Sequence, residues 1–263
     1  MPIDIDAVKK TGMSAAYRGA EALRLLFGKI TQIDKKGRID LVTEADTESE
    51  KIIIKTIRAA FPDHAILAEE SGMNDGTPEY QWYIDPLDGT TNFANGLSLF
   101  CVSIAFAVNG DVVFGIVLSP YTDELFTAVK GAGALRNSRP IRVSGTETVT
   151  DSLLVTGFPY DFINDGPMIQ RFSRCLRQAQ GIRRLGSAAL DLCYVACGRF
   201  AGYWEQDLHP WDTAAGFLIA KEAGGLVTDY SDRAFTVDTK EILATNGKIH
   251  KEMLALLLPE DRI

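Results

Sequence analysis

The chain is expected to fold as an α+β first half built on an antiparallel sheet, followed by an α/β second half. Three observations predict this. Two long stretches near the start carry apolar residues at helical spacing. The middle holds apolar runs joined by Asn109-Gly110, a strong hairpin signal. From Leu153 onward, short strand-like runs alternate with helical ones, the pattern of an α/β layer.

The elements follow in order. Ile5 to Phe27 reads as a helix that stops at Gly28. Ile30 to Arg38, with Asp34-Lys35-Lys36-Gly37 at its centre, reads as a charged hairpin or mobile loop. Thr43 to Phe61 predicts a second helix, with Thr43 as N-cap, Asp46 near its first turn and Pro62-Asp63 as its stop. Ala65 to Ala68 and Gln81 to Asp85 are short strands. Phe100 to Val108 and Val112 to Leu118 form the hairpin, and Glu124 to Lys130 and Gly133 to Asn137 continue the strand character. The polar stretch Pro140 to Thr150 divides one domain into two halves, 1–146 and 147–263.

In the second half, strands are expected at Leu153 to Thr156, Ile182 to Leu185, Phe200 to Glu205, Leu226 to Thr228 and Ile242 to Thr245. Helices are expected at Pro167 to Gln180, Ala188 to Cys197, Trp211 to Ala223 and Lys248 to Leu258. Gly224-Gly225 closes the third of these.

Of the 263 residues, 46% are hydrophobic and 24% charged, so a large core needs no disulfides. The net charge of -8 argues against nucleic acid or an anionic membrane as partner. It leaves a phosphorylated substrate open, since bound cations invert the local field. Cys101, Cys175, Cys193 and Cys197 make no CxxC pair and read as free buried thiols, suited to a reducing cytoplasm. The first residues lack a signal-peptide pattern, and no apolar run reaches the roughly 20 residues of a membrane span. A cytoplasmic location is expected.

The chemistry concentrates in Ile84-Asp85-Pro86-Leu87-Asp88-Gly89-Thr90-Thr91. Pro86 fixes its own φ and restricts Asp85, so this turn is expected to be stiff and to hold two carboxylates close together. Two such anions repel unless a cation lies between them, and a hard divalent ion suits them. The Leu87 carbonyl would point into the same space. Gly89-Thr90-Thr91-Asn92 reads as the first turn of a helix, whose free N–H groups can hold phosphate oxygens. Taken alone, such a stretch reads more readily as a solvated acidic turn capping a helix. Two further acidic stations, Glu69-Glu70 after a strand and Asp212 at a helix start after His209-Pro210-Trp211, favour the metal reading.

Together these residues resemble the inositol monophosphatase family. The resemblance rests on Asp40-Leu41-Val42-Thr43-Glu44-Ala45-Asp46, Ala68-Glu69-Glu70-Ser71-Gly72 and Trp82 to Phe93. It extends to Gly186-Ser187-Ala188-Ala189 and His209 to Gly216, with Glu222-Ala223-Gly224-Gly225 behind. It covers nearly the whole chain in the expected order. It implies an α-β-α-β-α sandwich and Mg²⁺-dependent, lithium-sensitive hydrolysis of a phosphate monoester, with two to three Mg²⁺ per site. The implied metal ligands are Glu69, Asp85, Leu87 (carbonyl), Asp88 and Asp212. The implied group that orients the attacking water is Thr90, with Asp46 behind it and Glu69 beside it. The implied phosphate and substrate contacts are Asp88, Gly89, Thr90, Ala188, Glu205 and Asp212. A homodimer and a small phosphorylated polyol or sugar as partner are also implied.

The expected reaction is direct attack of an activated water on myo-inositol 1-phosphate. Fructose-1,6-bisphosphatase activity, alone or as a dual activity, is the runner-up, ahead of other sugar, nucleotide or histidinol phosphates. A regulatory, protein-binding role is the alternative from another class. Arg183-Arg184 reads as either a second phosphate contact or a solvated edge, with the edge favoured. Lys35-Lys36 reads as a lid or a plain flexible hairpin. His209 and Trp82, Trp204 and Trp211 are expected to pack, and His64 and His250 have no neighbours that suggest chemistry.

Overall fold

The computed structural model describes residues 3–29, 33–35, 41–159 and 166–258. The chain opens with α1 (Ile5–Leu26), β1 (Ile33–Lys35), β2 (Leu41–Thr43), α2 (Glu44–Ala60), β3 (His64–Ala68), β4 (Gly72–Asn74), β5 (Thr77–Asp88) and α3 (Thr90–Ala94). It continues with β6 (Cys101–Val108), β7 (Asp111–Ser119), β8 (Glu124–Val129), β9 (Ala134–Arg136), β10 (Arg139–Pro140), β11 (Leu153–Thr156) and α4 (Gly166–Gln178). The remainder is β12 (Gly181–Arg183), α5 (Ala188–Ala196), β13 (Gly202–Gln206), α6 (Pro210–Glu222), β14 (Leu226–Thr228), β15 (Glu241–Thr245) and α7 (His250–Leu257).

Five layers result, as the alternation of side chains along the strands shows. In β6, Val102, Ile104 and Phe106 face α1 and α2, while Cys101, Ala105 and Ala107 face α5 and α6. In β13 and β15, Tyr203, Ile242 and Ala244 face those same inner helices, while Trp204 and Leu243 face the layer of α4 and α7. Strands that bury both faces read as nearly continuous apolar runs. The inner helices thus lie between an eight-stranded sheet, β10-β9-β8-β7-β6-β5-β3-β4, and a five-stranded one, β12-β11-β13-β15-β14.

The architecture is the expected one, and three details refine it. The first sheet is antiparallel except where β3 runs parallel to β5. The second is mixed: β11 is parallel to β12 and β13, but β15 is antiparallel to β13 and β14. The strand expected at Gln81 to Asp85 is longer at both ends. The Asp85-to-Asp88 segment is therefore its irregular tail rather than a loop after it. Asp85 pairs with Ser103 and Asp88 with Cys101, with a register shift between them. Pro86 has no N–H to give the ladder, which accounts for the break there.

Thr43 caps α2 as expected: its hydroxyl accepts from Ala45 N at 3.1 Å, and its own N–H donates to Asp46 Oδ2 at 2.8 Å. β1 pairs with β2 in a two-stranded ribbon. Lys36 and the Lys35 side chain lie outside the described residues. All four cysteines are free, and Cys101, Cys175 and Cys193 are buried. No helix among the described residues is long and apolar enough to cross a membrane.

Phe106 is fully buried between Trp82, at 4.8 Å between ring centroids, and His64, at 5.3 Å. Phe106→Ala is expected to cost about 3–5 kcal/mol of stability in urea unfolding, and a loss below about 1 kcal/mol would contradict this packing.

Candidate active site

The bulged tail of β5 carries Asp85, Leu87 and Asp88 to the edge of one cavity of about 340 Å³. Glu69, just after β3, reaches the same cavity, with its N–H bound to Ile84 O at 3.1 Å. Gly89 and Thr90 follow at the start of α3. Gly89 has φ +101, and an added Cβ would lie 2.8 Å from Leu99 O, so glycine is required on both counts. Ser187 and Ala188 bring the start of α5 to the wall, Trp211 and Asp212 bring the start of α6, and Glu205 comes from β13. Three helix N-termini thus open on one space, each with backbone N–H groups that its own helix leaves unpaired.

Every expected ligand and substrate residue lines this cavity: Glu69, Asp85, Leu87, Asp88, Gly89, Thr90, Ala188, Glu205 and Asp212. Asp46 does not. It is fully buried behind Thr90, where its Oδ1 accepts from the Thr90 hydroxyl at 2.8 Å and its Oδ2 from the Thr43 hydroxyl at 2.6 Å. Thr90 Oγ1 also lies 3.0 Å from Leu87 O, but its single proton can go to only one of the two acceptors.

Asp88 is held by residues about a hundred positions further along the chain. Its Oδ2 accepts from Ser187 Oγ and from Ala189 N, each at 2.7 Å. Its Oδ1 has only a 3.3 Å contact with Ala188 N, which leaves that oxygen open to the cavity. Asp212 both caps α6 and lines the cavity: its Oδ2 accepts from His209 N at 2.7 Å. Glu205 Oε2 accepts from Tyr203 OH at 2.6 Å. Its carboxylate lies on Gly157, where an added Cβ would meet both oxygens at 2.1 Å.

The acidic side chains perturb one another. Burial first, then the charges of Glu69, Asp88 and Asp212, push Asp85 well above the ordinary carboxylate range. Burial raises Asp88 to about 7, with Asp212 adding to the rise and the Ser187 bond opposing it. Burial raises Glu205 to about 8; the Tyr203 bond opposes this, Asp212 and Asp88 add to it, and Arg184 counteracts it. Asp88 and Glu205 keep an edge on the cavity, but protein surrounds most of each.

Among the described residues, no three His, Cys, Asp or Glu side chains stand ready-made as a metal-binding group. The carboxylates share the cavity without closing on one point, as unneutralised like charges do. The donors themselves fit a hard divalent cation: four carboxylates and the Leu87 carbonyl are all oxygen, and the open Oδ1 of Asp88 is among them.

Some features escaped the sequence. Arg184, favoured above as a solvated edge, lines the cavity. Gly157, Phe158 and Pro159 form a wall that no motif marks. Asp191, one turn into α5, is fully buried, and neither of its oxygens finds a partner among the described residues. Burial and the nearby charges of Glu205 and Asp88 raise it well above the carboxylate range. An acidic residue inside the otherwise apolar Ala188 to Ala196 was the available signal. His209 stacks on Trp211 at 4.7 Å, as the packing role implies, yet both line the cavity. His64 and His250 are buried elsewhere, His64 against Trp82 Nε1 and His250 against Thr228 and Thr245.

A layered α/β sandwich with an acidic cavity at the starts of three helices points to hydrolysis of a phosphoric monoester. Residues 4–261 match the inositol monophosphatase family, and the chain belongs to it. It is 46% identical over 258 residues to the inositol-1-monophosphatase of Synechocystis, covering 96% of this chain and 89% of that one. It is 41% identical to the Nus factor SuhB of Pseudomonas aeruginosa, over 94% of this chain and 96% of the relative. The crystal structure of extragenic suppressor protein SuhB from Bartonella henselae superposes with a TM-score of 0.93 at 39% identity, over 98% of this chain and 100% of that one. The protein is accordingly a phosphoric monoester hydrolase of this family.

Gly157→Ala forces the Glu205 carboxylate to move. It is expected to raise KM for the phosphate monoester about tenfold, with a smaller change in kcat, as befits a contact made before the chemical step. An unchanged KM in steady-state assays would show that Glu205 is not held against the substrate by this wall.

Proposed function

We propose that the protein hydrolyses myo-inositol 1-phosphate in a Mg²⁺-dependent reaction by direct attack of water. The observation that carries this reading is the meeting of Glu69, Asp85, Asp88 and Asp212 with the start of α3 in one cavity. Glu69, Asp85, Asp88, Asp212 and the Leu87 carbonyl would hold the cations. Bound Mg²⁺ supplies positive charge against the phosphate dianion and lowers the pKa of water.

The protein's own residues do the rest. The N–H groups of Gly89 and Thr90 bind phosphate oxygens. The Thr90 hydroxyl gives its proton to Asp46, so its oxygen is free to accept a hydrogen bond from the attacking water. Glu69 accepts the other proton and turns the water toward phosphorus. By similarity to the family, Asp212 would flank the leaving group in an in-line displacement, and the departing alkoxide would take its proton from a water on that side. Glu205, oriented by Tyr203, accepts hydrogen bonds from polyol hydroxyls and selects the leaving fragment. Fructose 1,6-bisphosphate is the second substrate that this site supports. A homodimer is the proposed assembly, by similarity to the family.

Asp88→Asn places an amide among donors that already face Asp88 Oδ2 and removes a charge from the cation seat. Phosphate release from myo-inositol 1-phosphate is expected to fall at least about 10³-fold, with circular dichroism unchanged. Near-normal turnover would refute the metal assignment. The same variant separates catalysis from the regulatory role suggested by relatives named Nus factor, because a biological role that survives in it does not depend on hydrolysis.

The raised carboxylates also set a pH dependence. In the folded, cation-free protein, Asp88 titrates at about 7 and Glu205 at about 8, each above its unfolded value. The fold therefore binds extra protons over that interval, and its stability falls as pH rises through it. Mg²⁺ needs the deprotonated carboxylates. The gain in Tm from Mg²⁺ over EDTA is thus expected to be larger near about pH 8 than near about pH 5.5. Equal gains in calorimetry at the two pH values would contradict the buried acidic cluster.

A further inference from the structure

We propose that Arg184 is a specificity-determining residue that engages a second phosphate on the substrate's leaving fragment and so sets how well the site takes a bisphosphorylated sugar or polyol beside the monophosphate. The inference rests on the phosphatase reading above and deepens it.

Arg184 is exposed and lines the catalytic cavity. Its Nη1 lies 3.6 Å from where a Cβ on Gly186 would stand, so the guanidinium hangs beside the turn that leads to Ser187 and Ala188. That is the wall carrying the contacts to Asp88, next to Glu205. Among the described residues lining the cavity, Arg184 is the one permanent cation. The other ionisable residues there are the acids Glu69, Asp85, Asp88, Glu205, Asp207 and Asp212, together with His209.

Among the described residues, no hydrogen bond or ion pair is found for Arg184. Its charge counteracts the rise of Glu205 and Asp191, but neither is bonded to it. Arg183 differs: it does not line the cavity, and its Nη1 donates to Ile182 O at 3.0 Å.

The reacting phosphate already has its seat at Gly89 and Thr90. A polyol bearing only that phosphate offers the guanidinium hydroxyl groups and no anion. A second phosphate on the far side of the ring supplies what a planar guanidinium binds best, a bidentate oxyanion. In a cavity walled by carboxylates, such a dianion has few other places to go.

The test compares kcat/KM for fructose 1,6-bisphosphate and for myo-inositol 1-phosphate, both with saturating Mg²⁺, in the natural protein, Arg184→Gln and Arg184→Lys. The ratio of the two constants is the readout. Arg184→Gln is expected to lower the bisphosphate-to-monophosphate ratio about 10–100-fold, mainly through KM for the bisphosphate, while Arg184→Lys retains part of it. A ratio within about twofold of the natural protein in Arg184→Gln overturns the proposal. So does a parallel loss on both substrates with a shifted pH profile, which would make Arg184 only a screen for Glu205. Hydrolysis of the monophosphate with no turnover of the bisphosphate by the natural protein overturns it too, while leaving the proposed function standing. Turnover of neither compound refutes the proposed function itself.

Discussion

Repulsion among carboxylates around one cavity is the constraint that the rest of the structure serves. Glu69, the pair Asp85 and Asp88, and Asp212 come from three separate segments of the chain and share one small space. Burial raises the titration points of Asp85 and Asp88, and neighbouring carboxylates raise them further, so an unneutralised cluster here costs stability. The fold opposes it with dipoles. Asp88 takes two N–H groups and a hydroxyl from the start of α5, and Asp212 takes the N–H of His209 at the start of α6. Asp46 takes an N–H and a hydroxyl from Thr43 at the start of α2. Helix N-termini are aimed where negative charge gathers.

This constraint also explains the shape of β5. A regular strand would turn successive side chains to opposite faces of the sheet. The break at Pro86 lets Asp85 and Asp88, three residues apart, line the same cavity while the strand still pairs with β6 on both sides of the break. A sheet packed on both faces by helices has few places for such an irregularity, and the strand's end is one of them.

Much of this was legible in the sequence because its cause is local. Proline, glycine and closely spaced acids in Asp85 to Thr90 fix a conformation within a few residues, and the helices that carry Asp46 and Asp212 announce themselves by cap and periodicity. The apolar runs pointed only to an α+β half and an α/β half, and the five layers were implied by the family resemblance. What stayed hidden depends on partners far along the chain. Nothing near Gly157 shows that it lies beneath Glu205, and Arg184 looks like its exposed neighbour Arg183 until the cavity wall is seen. β4 and the outer parts of β5 were missed because their polar sequence has no strand period, and pairing with β3 and β6 decides their state. The mixed second sheet is likewise a matter of chain path, which short apolar runs do not encode.

The grip of Ser187 and Ala189 on Asp88 has a consequence for synthesis. The partners of residue 88 lie 99 and 101 positions downstream. A nascent chain that has already made the whole acidic motif cannot yet anchor it, and must carry those charges until a stretch a hundred residues younger leaves the ribosome and closes on them. Chain cut short between these points is therefore no weakened form of the enzyme, because the centre comes into being only when the late segment arrives.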